Sequence, residues 1–297
     1  MKKENKHLLF FLFFFILSIL IIKWLINNGM SIFEKIVGCG CGNKESKIMK
    51  KMENFDINET TDFMDGVDMI YYINLDRSLE RRKNMEKLLS DSVFNNIEKV
   101  RFSAIDGKKE NAKNSIKTAN TLFRPLSGVE YACLLSHLKT ITLFSDSDVK
   151  NQVALIFEDD VTLEFKKYWK KSVKQIMKEA PANWEIIQLC FIGQGKDCLI
   201  VPKVDYDNKV YPSAAAYLIN RKGAERIKKL YSNGKYNVES SAYPIADLFI
   251  FGYCKTYTCK YPMFIYSGDD STLHDEDLKC HMKTKKIVKD MYASMYD

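Results

Sequence analysis

The chain has 297 residues, 46% of them hydrophobic and 12% aromatic, which is ample apolar material for one large globular domain, or two at most. Its 45 Lys and Arg exceed 38 Asp and Glu by only +7, a balance read as a solvated Lys-rich surface or, more sharply, as attraction to phosphate-bearing ligands or anionic lipid. No zinc-finger spacing and no aromatic-studded basic motif occurs, so nothing points to nucleic acid as a partner.

Residues 1–7 carry Lys2, Lys3 and Lys6 and read as a cytoplasmic tail. Residues 8–26, LLFFLFFFILSILIIKWLI, hold a single charge, Lys23, close enough to the end to snorkel, and match the ~20 apolar residues that span a bilayer. Trp24 suits the interfacial belt, and the excess of Lys before the segment predicts an uncleaved type II anchor with everything downstream on the far side of the membrane. In a eukaryotic cell that side is the lumen of the endoplasmic reticulum or Golgi. A cleaved signal peptide competes with this reading, although no A-x-A-like site follows. Residues 27–67 are set as a stalk, polar and without sustained periodicity over 38–66, and the NET at Asn58 is a glycosylation acceptor that makes sense only in a lumenal stalk. Eight cysteines suit an oxidising compartment, but nothing in their spacing fixes a pairing.

The globular part opens at 67–75 with VDMIYYINL, a buried strand, and continues with a helix capped at Ser78. KVRFSAIDG is a second strand ending in a turn. In LSGVEYACLLSHLKTITLF, Ser127 and Glu130 stand at capping-box spacing, with Tyr131, Leu134, Leu135, Leu138 and Ile141 as the core stripe of a helix. Then come the strand VALIF, a helix around 165–179, the strand EIIQLC, a Gly-containing loop, the strand AAAYLIN and the helix RKGAERIKKLY. Such alternation predicts an α/β layer structure with a mostly parallel central sheet, in a domain set at 68–274 and followed by a helix-forming tail at 275–297. Ligands of these sheets gather at the carboxyl ends of the strands.

At one such end stand Glu158, Asp159 and Asp160. Three adjacent carboxylates repel one another unless a cation intervenes, and hard oxygen ligands suit Mn²⁺, or else Mg²⁺, completed by water and diphosphate oxygens. Helix-capping acids are the bland alternative.

The ordered blocks YYINLDRSLERR, RFSAIDG, LSGVEYACLLSHL, ALIFEDDVTL, NWEIIQL, AAAYLINRKGAERI and YPIADLF resemble glycosyltransferase family 25, a group that includes bacterial lipooligosaccharide and procollagen hydroxylysine galactosyltransferases. The likeness covers about 68–271, two thirds of the chain. It implies a GT-A-like (Rossmann-like) fold, a UDP-sugar donor (often UDP-galactose), a divalent metal, inversion at the anomeric carbon and a glycan or protein acceptor. Carried over by position, Asn74, Asp76, Arg77 and Arg81 fall in the nucleotide-binding block, and Ser136 and His137 match the family's Ser-His pair. Asp160 becomes the direct metal ligand, with Glu158 reaching the metal, its bound water or the ribose, and Asp159 beside them. Asp247 is the candidate base that deprotonates the acceptor hydroxyl, and His274 the candidate late ligand that completes the metal site. Two other classes fit the same residues: a degenerate transferase serving as a carbohydrate-binding or scaffolding membrane protein, and a nucleotide-sugar hydrolase.

Overall fold

Strand β1 (Met69–Asn74) opens the fold in the computed structural model, which describes residues 62–195, 197–267 and 278–295. All six of its residues are buried, as expected of a strand covered on both faces. Helix α1 (Leu79–Leu89) returns the chain to β2 (Glu98–Ser103), which pairs parallel to β1 with Met69 opposite Glu98. Ser78 does stand at the N-cap of α1, but its hydroxyl bonds no helix amide. After the short β3 (Ile116–Lys117), helix α2 (Gly128–Ser145) forms with the predicted capping box intact: Ser127 Oγ accepts from the Glu130 amide, and the Glu130 carboxylate accepts from the Ser127 amide. The whole predicted stripe of α2 is buried.

β4 (Val153–Glu158) pairs parallel to the other side of β1 and leads into β5 (Val161–Thr162). The helix expected around 165–179 is shorter. A 3₁₀ turn at Lys166–Tyr168 and an extended Trp169 come first, and α3 (Val173–Glu179) starts only where Ser172 and Gln175 make a second capping box. Trp169 is held there by its indole N–H, which donates to the Met263 carbonyl, so a tertiary bond interrupts what the local pattern would continue. Next come β6 (Ile186–Gln188), β7 (Tyr206–Asp207), β8 (Ala216–Asn220) and α4 (Arg221–Lys228). The chain then runs through β9 (Tyr231–Ser232), β10 (Lys235–Asn237), α5 (Ala246–Tyr253), β11 (Thr256–Cys259), β12 (Ile265–Tyr266) and α6 (Leu278–Ser294).

The central sheet has seven strands in the order β2-β1-β4-β8-β6-β11-β7. It is mostly parallel: β8 runs antiparallel to both β4 and β6, and β7 antiparallel to β11. The reversal of β8 brings its N-terminal end to the edge where β1 and β4 finish. Side chains alternate between two apolar layers, as period 2 requires. Ile70, Tyr72, Leu155 and Phe157 face one layer, while Tyr71, Ile73, Ala154 and Ile156 face the other, where α2 packs.

Helix α6 is fastened to the core. Val288 and Tyr292 are buried, the Tyr292 hydroxyl donates to the Pro262 carbonyl, and Lys285 and Lys289 both pair with Glu164. Cys198 and Cys280 form a disulfide with Cα atoms 5.4 Å apart. Among the described residues, no helix is long and apolar enough to cross a membrane. The expected tail, anchor and most of the stalk, with Cys39, Cys41 and Asn58, lie outside the described residues, as does His274.

Candidate active site

Where β1 and β4 end and β8 begins, a cleft of about 930 Å³ opens. It receives Arg77 and Arg81 from the first strand–helix unit, Ser136 and His137 from α2, the three acids after β4, and Asp247 from the first turn of α5. Eight of the sequence-predicted residues thus line one cleft; Asn74 and Asp76 are not among the lining residues.

The acids are not equivalent. Asp159 is buried and fully engaged, Oδ2 accepting from Asn74 Nδ2 at 2.7 Å and Oδ1 from Arg81 at 2.7 Å. Asn74 in turn donates to the Ser78 carbonyl and accepts from Arg82 and Arg101, so it serves as a buried clamp behind the cleft. Asp76 is turned to solvent and pairs with Arg82 and Arg101. Asp160 is different: its Oδ1 is buried and has no hydrogen-bond partner, while Oδ2 stands 3.7 Å from Arg81. Desolvation, reinforced by the negative charges of Glu158 and Asp159, pushes the Asp160 carboxyl up to about 7 against the pull of Arg81. A buried carboxylate oxygen without a partner, surrounded by like charge, is what a bound cation would satisfy. Asp160 and Glu158 therefore fit a hard divalent ion, and Asp159, with both oxygens taken, does not.

Glu158 Oε1 lies 3.0 Å from His137 Nε2, and His137 Nδ1 lies 3.0 Å from the Tyr217 hydroxyl. With Nε2–H donating to the carboxylate and Nδ1 accepting from Tyr217, all three groups are satisfied. Cys133, one turn before His137, brings its thiol into the same group: one ligand atom each of Cys133, His137 and Glu158 fall within 4.8 Å of one another. Burial and the nearby acids push that thiol well up. Ser136 points elsewhere, donating to the Ala132 carbonyl and accepting from the Ile105 amide.

Asp247 accepts from the Ser213 and Leu248 amides, each at 2.8 Å. Desolvation raises its carboxyl above the ordinary Asp range, and those two amides resist the rise. Ser213 sits at φ +93°, in the left-handed region, and is held there by the Asp247 bond and by Gln188 Nε2, which donates to its carbonyl at 2.7 Å.

The ion-pair partners of Arg77 and Glu130 carried no readable signal. Arg77 makes a two-point pair with Asp106, whose carboxyl it holds below the usual range. Arg124 pairs with Glu130, donates to the Tyr243 hydroxyl and lies over the Tyr243 ring. Burial opposes ionisation of Glu130, but Arg124 and Ser127 outweigh it and lower its carboxyl to about 2. Arg77 and Asp106 are 29 positions apart and Arg124 and Tyr243 are 119 apart, so neither periodicity nor motif spacing reveals these contacts.

The family model described as "Glycosyltransferase family 25 (LPS biosynthesis protein)" matches residues 67–242, more than half of the chain and inclusive of every cleft acid except Asp247. Among curated relatives, "Procollagen galactosyltransferase 2" of Homo sapiens is 28% identical over 187 residues, covering 54% of this chain and 27% of its own. The Mus musculus protein of the same name is 30% identical over 181 residues with the same coverage. A "Glycosyltransferase 25 family member" of Drosophila melanogaster is 28% identical over 133 residues, 41% of this chain and 21% of its own. The matched region thus spans about a quarter of these relatives' length. With the mixed α/β sheet, the acid-lined cleft at its strand ends and the extent of that match, the chain belongs to glycosyltransferase family 25.

Proposed function

We propose that this chain transfers a hexose, galactose by preference, from a UDP-sugar to a hydroxyl of a glycan or protein acceptor, with inversion and with a divalent metal, Mn²⁺ by preference. The observation that carries the reading is the buried, unpartnered Oδ1 of Asp160 beside Glu158, in a cleft that also presents Arg77 and Arg81. Asp160 and Glu158 would hold the ion, and His274 would be its late ligand. When bound, the metal supplies positive charge against the leaving diphosphate. Asn74 and Arg81 act by fixing Asp159, so that the triplet keeps its orientation while Asp160 stays open to the cleft. Arg77 adds cationic charge to the donor side. Asp247, made more basic by desolvation, would take the proton of the acceptor hydroxyl; a positioned carboxylate contributes roughly 10²–10⁴-fold in such a role. The galactose preference draws on the printed names of the curated relatives. The anchor at 8–26 would hold this domain on the lumenal side of a membrane as a single-pass type II protein.

The test is a screen of UDP-hexoses with the full-length protein and Mn²⁺, reading UDP release with and without candidate acceptors. UDP-galactose with Mn²⁺ should be turned over, and Asp160→Asn should lower turnover by roughly two orders of magnitude or more. Turnover by Asp160→Asn equal to that of wild type, or wild-type turnover unaffected by excess chelator, would overturn the reading.

A further inference from the structure

The hard-ion reading uses Asp160 and Glu158 and leaves Cys133 and His137 without a chemical task. These two residues are four apart on α2, so they project from one face on successive turns. Glu158 meets them from the end of β4, and one ligand atom from each of the three lies within 4.8 Å of the others. Tetrahedral zinc with sulfur at ~2.3 Å and nitrogen or oxygen at ~2.0–2.2 Å places its ligand atoms about 3.3–3.8 Å apart, so the thiol needs to close by at most about an ångström, while His137 Nε2 and Glu158 Oε1, now 3.0 Å apart, open slightly. The Tyr217 hydroxyl at Nδ1 fixes the ring with Nε2 facing the group, and ligation through Nε2 takes the tautomer in which Nδ1–H donates to Tyr217 and the hydrogen bond to Glu158 gives way to the ion. All three residues line the cleft, whereas Cys190, Cys254 and Cys259 are buried away from it. A fourth position on the cleft side is therefore open to water.

We propose that Cys133, His137 and Glu158 form a zinc site in the cleft floor. A thiolate and an imidazole with one carboxylate select zinc over manganese or magnesium, which favour all-oxygen shells. On binding, the thiol proton leaves to solvent and the sulfur takes its place as a ligand. Glu158 is common to this site and to the hard-ion pair, so zinc withdraws it from Asp160 and acts as an inhibitor. Only that last consequence rests on the function proposed above; zinc binding itself does not.

The experiment titrates zinc chloride alone into the full-length, chelator-stripped protein by calorimetry. Cys39→Ser and Cys41→Ser are combined as the background, to remove the two thiols near the membrane. One equivalent should bind, its X-ray absorption spectrum should show one sulfur and at least one imidazole, and Cys133→Ser should weaken binding by roughly tenfold or more. Circular dichroism checks that the serine variant folds; if it does not, the spectrum of the Cys133-containing protein decides. An equivalent bound with no zinc–sulfur scattering, no zinc bound at all, or equal affinity in a folded Cys133→Ser variant overturns the site, whatever the transferase assays show.

Discussion

Asp160 has an electrostatic cost that should be measurable without any substrate. In the unfolded chain its carboxyl ionises near the ordinary Asp value of ~3.9. In the cleft floor desolvation, Glu158 and Asp159 raise it to about 7. Between those two values the folded protein holds a proton that the unfolded chain has released, so stability falls as pH rises from about 4 to about 7 and levels off above. Asp160→Asn removes that charge. The variant should melt at the same temperature as metal-free wild type below pH ~4 and several degrees higher above pH ~7, and added Mn²⁺ should raise the wild type alone. Identical pH–melting profiles for the two proteins would contradict this. The triplet itself was legible in the sequence, because an apolar run ending in three acids marks a strand end. Its division of labour was not. Asn74 and Asp159 are 85 positions apart, and only folding shows that one acid is tied down and its neighbour is open.

Helix α2 carries much of the site, and its N-terminus is secured twice over. The capping box satisfies helix amides locally, so Ser127→Ala should lower stability by about 1 kcal/mol in urea denaturation. The second attachment is steric: a Cβ on Gly107 would stand 2.5 Å from the Gly128 carbonyl oxygen and 2.8 Å from the Val129 Cα. Those are backbone atoms that cannot step aside, so Gly107→Ala should destabilise more than Ser127→Ala, and the reverse order would argue against this close approach. Elements with strong local signals were readable from sequence: β1, α2 and β4 follow from apolar runs, caps and the 3.6 period. The direction of β8 was not, since an apolar strand looks alike whichever way it runs, and neither was the break at Trp169, which a hydrogen bond to a residue 94 positions away enforces.

At the scale of the molecule, the Cys198–Cys280 bond ties α6 to the loop after β6 across 82 residues of sequence. The pairing could not be read from the sequence because thiol spacing carries no geometry. A loop of that length corresponds to about 4.5 kcal/mol of chain entropy withheld from the unfolded state, an upper figure for its stabilisation. Reduction with dithiothreitol should therefore lower the melting temperature by several degrees and make α6 the first segment cut in limited proteolysis. Unchanged melting in reductant would show the bond to be dispensable. Gly193, which lines the cleft, donates its amide to Thr284 Oγ1, and Gly193, Cys280 and His281 together form one side of the cavity. A ribosome-bound chain that has emerged only as far as Tyr266 would thus possess each of the clustered acids yet present them in a basin missing a side. Maturation of this pocket waits on emergence of the closing helix and on the oxidation that seals it, the moment at which a competent cavity first exists.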